Sequence, residues 1–144
     1  MEELKNVLFK LITEMKVNEM NTSEADFTPI YLDGTEKDNS KWLDLLRAAI
    51  KSAKGFEIHC WNEETDWIEF ALKYGTLKES DWKYGEIIEG EVTDEFINML
   101  LEMPKPTDTE IYNKMTPFFN VFLDDYFQSS HYGTEIYVDL ERMK

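Results

Sequence analysis

Cysteine occurs once in this chain, histidine twice, proline four times and glycine six times. The single thiol, Cys60, excludes an internal disulfide and fits a reducing compartment. Two histidines and one cysteine fall short of the four ligands of a Cys/His zinc site. Neither an H-E-x-x-H pair nor a calcium-loop spacing is present. Apolar runs stop short of the roughly 18 residues that cross a bilayer. The opening MEELKNVLFKLITEM begins on acids and lacks the basic start and apolar centre of a secretion signal. The expected location is the cytoplasm, and no motif asks for a cofactor.

Bases are scarce as well: 15 against 30 acids, a net charge of −15. Such a surface repels phosphates and anionic lipids, so neither bare nucleic acid nor a membrane is expected as a direct partner. It attracts basic proteins. What is abundant is hydrophobic material, 42% of residues, and aromatics, 14%. That composition is globular. The 144 residues make one domain of ordinary size, spanning 1–144. About 68% of the unfolded surface can be buried at this length.

Apolar spacing predicts the elements. Leu4, Val7, Leu8, Leu11, Ile12 and Met15 mark a helix over about 3–19. A short strand is expected at Thr28–Leu32. Ser40 caps a second helix through Trp42, Leu45, Leu46, Ala49 and Ile50, ending at Gly55. Phe56–Trp61 alternates as a strand. Asn62 or Thr65 caps a third helix ending at Gly75. Trp82–Val92 reads as one or two strands, and Thr93 caps a fourth helix that closes at Pro104. A short helix over 108–115 comes next. Residues 117–128 fit either a helix or a strand that turns at Asp124-Asp125. The strand is favoured because Ile136, Val138 and Leu140 alternate with Glu135, Tyr137 and Asp139 and need a neighbour. The expected fold is a single α+β domain, with helices packed on a small, mainly antiparallel sheet.

Catalytic patterns are weak. His59 and Cys60 are strand neighbours and must point to opposite faces. Cys60 would need the distant His131 as its base, and the simpler reading of Cys60 is a core residue. Gly85 and Gly90 have Walker-loop spacing, but Glu91-Val92 follows where Lys and Ser or Thr are required. With 30 acids, carboxylate pairs such as Glu63/Glu64 and Asp124/Asp125 arise by coincidence. No catalytic, cofactor or metal residue is assigned.

The placement of charge says more. Glu57–Glu95 holds 12 acids and 3 bases, a net of −9 in 39 residues. Trp61, Trp67, Trp82, Tyr74 and Tyr84 are interleaved with those acids. Trp and Tyr anchor protein interfaces, and surrounding acids steer a basic partner. The plainer reading is that the tryptophans are core and the acids only solvate the surface. Trp82, in the polar setting KESDWKYGE, fits that reading least. The candidate partner-binding residues are Glu63, Glu64, Asp66, Glu79, Asp81, Trp82, Tyr84, Glu86, Glu89 and Glu91.

Three segments carry a resemblance: FEIHCWNEE (Phe56–Glu64), ALKYGTLKESDWKYGEIIEGEVTDEFI (Ala71–Ile97) and SSHYGTEIYVDL (Ser129–Leu140). Together they cover a third of the chain. They resemble the small acidic immunity proteins of bacterial polymorphic-toxin and contact-dependent growth-inhibition systems. The resemblance implies a cytoplasmic protein that binds one cognate toxin domain, a basic nuclease-type one, and blocks its active site or an exosite. It carries over no catalytic residue. Two other readings stay open. One is an acidic adaptor or nucleic-acid mimic acting on a host enzyme. The other is a small enzyme using Cys60, His131 or carboxylates.

Overall fold

Strand parity decides what faces what in this protein. The computed structural model describes residues 27–32, 36–107 and 113–139. Among them, seven strands form one sheet: β1 (Phe27–Tyr31), β2 (Gly55–Trp61), β3 (Thr76–Lys78), β4 (Gly85–Glu91), β5 (Asn120–Leu123), β6 (Phe127–Ser130) and β7 (Glu135–Asp139). Their order is β1-β7-β6-β5-β2-β4-β3, and every adjacent pair is antiparallel. The helices are α1 (Glu36–Ile50), α2 (Thr65–Ala71) and α3 (Asp94–Glu102). The α+β expectation holds, and the sheet is larger than expected.

One row of residues crosses the whole sheet: Ile30, Ile136, Ser129, Val121, Ile58, Ile88 and Leu77. All but Leu77, on the edge strand, are buried. They share one core with Leu45, Leu46 and Ala49 of α1, Ala71 of α2, and Phe96 and Leu100 of α3. A second buried row contains Val138, Phe127, Leu123 and Phe56 and ends at Gly90. Glycine is required there, because a Cβ would meet Phe56 at 2.8 Å and the carbonyl of Tyr74 at 2.8 Å. The open space lets Phe56 stack on Phe96 with ring centroids 4.0 Å apart.

Two polar contacts tie α1 to this sheet. Trp42 Nε1 donates to Ser129 Oγ at 3.3 Å, and Tyr126 Oη donates to the Ala49 carbonyl at 2.7 Å. Asp124 makes the β5–β6 turn with a left-handed φ of 49°. Its carboxylate accepts the backbone N–H of Lys54 at 3.1 Å and of Gly55 at 2.8 Å, joining the turn to the start of β2. The favoured strand reading of 117–128 holds with shifted bounds: β5 and β6 pair about this turn over Asn120–Leu123 and Phe127–Ser130, and residues 117–119 precede the first strand.

Several boundaries differ from expectation. Helix α1 starts at Glu36, so Ser40 lies inside it. Acids in a first turn favour the positive helix end and extend it without the Ser40 cap. Glu64, and neither Asn62 nor Thr65, occupies the N-cap of α2, and its side chain makes no capping bond there. Helix α2 stops at Ala71, and turns continue to Gly75. Strand β3 was not expected, and residues 82–84 form a loop before β4. Thr93 does cap α3, accepting the Phe96 N–H at 3.1 Å. The helix expected over 3–19 lies outside the described residues, as do residues 108–112 of the one over 108–115.

Ser129 is the one polar member of the buried row that spans the sheet. Ser129→Ala leaves the Trp42 indole N–H without this acceptor, which costs about 1–3 kcal/mol. Chemical denaturation should show that loss as a lower midpoint with an unchanged slope. An unchanged midpoint would mean that the Trp42–Ser129 bond does not hold α1 to the sheet.

Candidate functional site

The opposite parity builds the outer face. One row across it reads Tyr31, Glu135, Ser130, Asn120, His59, Ile87 and Lys78, with Asn120 set beside Ser130 by the β5–β6 register. The next reads Pro29, Tyr137, Gln128, Phe122, Glu57, Glu89 and Thr76. Most of these side chains are half-buried. The end of the sheet where β2 finishes and β4, β5 and β7 begin, here the upper end, gathers the chemistry.

An aromatic ridge runs along that end. Trp61 lies 4.7 Å from Phe119 and 5.2 Å from Trp82, centroid to centroid. Trp82 also approaches His59 at 5.7 Å, and His59 approaches Phe122 at 4.9 Å. Gly85 makes room for this. A Cβ there would collide with the six-membered ring of Trp82 and with the Cys60 carbonyl. Trp82 is half-buried on its neighbours, which matches its reading as a residue outside the core.

Beside the ridge, two loops are locked together. Asn62 donates its backbone N–H to the Tyr84 carbonyl at 2.9 Å and its side-chain N–H to the Lys83 carbonyl at 2.9 Å. This fixes the β2–α2 turn, with Glu63, against the β3–β4 loop, with Glu79, Asp81, Trp82 and Tyr84. Glu63, Glu79 and Asp81 are exposed, and Tyr84 is 68% exposed.

The other predicted residues are placed differently. Glu64 is committed inside the fold: its Oε1 accepts the Trp61 N–H at 2.9 Å and its Oε2 accepts the Tyr132 hydroxyl at 2.9 Å. Asp66 is exposed in the first turn of α2, where it suits the helix dipole. Glu86 has the parity of the helix-covered side, paired with Cys60. Glu89 and Glu91 lie on the outer face, four and six residues from Gly85, about 14 and 20 Å down the strand. The ten residues therefore do not form one patch. Glu63, Glu79, Asp81, Trp82 and Tyr84 come together, and Glu89 and Glu91 stand apart from them.

Across the ridge lies a concavity of about 440 Å³ whose lining includes Phe119, Asn120, Gln128, His131, Glu135 and Tyr137. None of the six was among the predicted partner-binding residues. The β6–β7 turn forms its rim. Gly133 donates to the Ser130 carbonyl at 3.1 Å, and His131 and Tyr132 both have left-handed φ, 51° and 61°. Such a turn ordinarily takes Asn-Gly. Tyr132 is held there by its bond to Glu64 and by backbone bonds with Phe119, Met115 and Thr116. His131 Nδ1 is hydrogen-bonded to Glu135 Oε2.

Ionic contacts continue along the outer face. Glu57 accepts from Lys78 Nζ at 2.7 Å and pairs with His59 Nε2 at 2.9 Å. His59 Nδ1 meets Asn120 Nδ2 at 3.2 Å. Burial pushes the Glu57 carboxyl up, but the bonds from Lys78 and His59 outweigh it and hold it below its ordinary value. The same carboxylate raises Lys78.

The thiol is set apart from all of this. Cys60 is fully buried on the helix-covered side, and burial, with the charge of Glu64, pushes it up to about 12. A nucleophilic thiol needs the opposite setting. Among the described residues, no group of three or more His, Cys, Asp or Glu could hold a metal ion, and no helix is long and apolar enough to cross a membrane.

The chain matches no family model, no curated protein and no solved structure.

Glu57 generates a pH prediction. Its native value is depressed, so its contribution is complete above the ordinary carboxylate range and disappears as pH falls through the native value. The raised Lys78 keeps its share until pH climbs through its own native value. Glu57→Gln should lower the melting temperature at neutral pH. The gap from the unmodified chain should close in acid, below the native Glu57 pKa. A gap that persists unchanged in acid would show that the carboxylate charge is not what stabilises this part of the sheet.

Proposed function

We propose that this protein is an immunity-type inhibitor: it binds a basic, nuclease-type toxin domain through the upper end of its outer face and blocks that domain's active site or an exosite. The observation that carries the reading is the Asn62 lock. It holds exposed Tyr84 and the carboxylates of Glu63, Glu79 and Asp81 on two loops fastened to each other, next to the Trp61–Trp82 ridge. Rigid loops reduce the ordering entropy of association. Aromatic side chains supply contact area, and acids around them steer a cationic partner.

The net charge of −15 supports the same direction, since it extends the steering field over the whole molecule. A thiol enzyme is disfavoured, because Cys60 is buried on the helix-covered side and raised to about 12, while His131, the base it would need, lines the concavity on the outer face. Glu64 enters the proposal as a support for the loops and Tyr132, through its two internal hydrogen bonds. An inhibitor of an intracellular nuclease would act in the cytoplasm.

Co-expression with a basic nuclease-type toxin domain, sought first in the adjoining gene, tests this. The chain should restore growth. The triple change Glu63→Lys, Glu79→Lys and Asp81→Lys should slow association on the order of tenfold or more at low salt, with the melting temperature preserved. Neutralisation at full strength by the triple variant would put the contact elsewhere on the molecule. Failure of the unmodified chain to restore growth would overturn the reading.

A further inference from the structure

The concavity beyond the ridge has a chemistry of its own. It lies under the β6–β7 turn, and no lysine or arginine lines it. Its lining offers two aromatic rings, Phe119 and Tyr137, and several oxygen acceptors. Gln128 donates its amide N–H to Ser130 Oγ at 2.7 Å, so the side chain presents its carbonyl oxygen as an acceptor. Glu135 meets His131 Nδ1 through Oε2, which ties the carboxylate to the rim. The rim thus orients Glu135, and a carboxylate, with two oxygens and several lone pairs, can accept more than one hydrogen bond.

Aromatic rings, a fixed carboxylate and an amide carbonyl suit a flat cation rich in N–H donors. A guanidinium stacks on aromatic rings and offers donors in a planar fork, whereas an ammonium is a compact, strongly hydrated point charge. The volume of about 440 Å³ leaves room for such a side chain with its stem. We infer that this pocket is an arginine-binding site, filled by a guanidinium of the basic partner. The inference rests on the partner-binding reading and assigns it a second contact, on the opposite side of the aromatic ridge from the acidic loops.

A titration with N-acetyl-arginine methylamide, followed by amide chemical shifts, tests the pocket without any partner. Saturable shifts should centre on Asn120, Gln128, His131 and Glu135, with an affinity on the order of 1 mM for so small a probe. The citrulline analogue has the same shape without the charge, and it should bind at least tenfold more weakly. The lysine analogue should also be weaker. Glu135→Gln and Tyr137→Leu should each weaken the arginine probe several-fold while thermal melting shows the fold intact. Equal shifts from the arginine and citrulline probes on the unmodified chain would overturn the site, whatever the variants do. Shifts confined to Glu63, Glu79 and Asp81 would overturn it too, as general attraction to the acidic loops. The two proposals fail separately. Loss of arginine binding to the pocket leaves the loop contact standing, and growth that is not restored by the unmodified chain removes the toxin reading without touching the probe result.

Discussion

Register across the seven strands is fixed most fully by the buried row Ile30–Ile136–Ser129–Val121–Ile58–Ile88, which reaches Leu77 on the edge strand and is backed by a second row through Val138, Phe127, Leu123 and Phe56. Side chains alternate along a strand, so a slip of one residue would send a buried isoleucine outward and a charged neighbour into the core. Fully burying each isoleucine or valine stabilises by about 1.5–3 kcal/mol, which makes every such slip expensive. Ser129 is the polar exception, and Trp42 satisfies it from α1. The helical layer is thereby tied to the register it covers.

Once that row is set, the outer face has no freedom left. Glu135, Ser130, Asn120 and His59 fall side by side, though they come from four different strands. The pocket, the ridge and the Glu57 ion cluster all follow from the parity of the same strands. The loops then add what strands cannot. Gly85 clears space for Trp82, Asn62 fastens two acidic loops together, and the His131–Tyr132 turn accepts two left-handed residues that carry side chains. Residues in that region cost on the order of 1–3 kcal/mol each when they are not glycine. Tyr132 offsets its share with a buried bond network, and His131 orients Glu135 at the pocket rim.

Much of this was legible in the sequence, for physical reasons that differ by element. FEIHCW and TEIYVDL alternate cleanly, so the inward positions of Ile58, Cys60, Ile136 and Val138 could be read directly. Thr93 is a good cap in front of an apolar period, and α3 starts behind it. Pairing was not legible, because Ile58 meets Val121 and Trp42 meets Ser129 across 63 and 87 residues that leave no local trace. Strand β3 is too short to show a period, with three exposed residues on an edge. The acidic excess between Glu57 and Glu95 divides in the structure between the upper end, with Glu63, Glu79 and Asp81, and the far end of β4, with Glu89 and Glu91. It could not separate Glu63, Glu79 and Asp81, which face solvent, from Glu64, whose two oxygens are committed inside the fold. The pocket escaped notice because Asn120, Gln128 and Tyr137 carry no charge and are brought together only by register.

The central claim is that function resides on the upper end of the outer face. Amide hydrogen exchange of the chain, alone and mixed with the proposed basic toxin domain, addresses it directly. The account predicts slowed exchange in residues 61–66, 79–86 and 131–137, with α1 and α3 unchanged. Protection concentrated on α1 and α3, with those three segments unaffected, would contradict it.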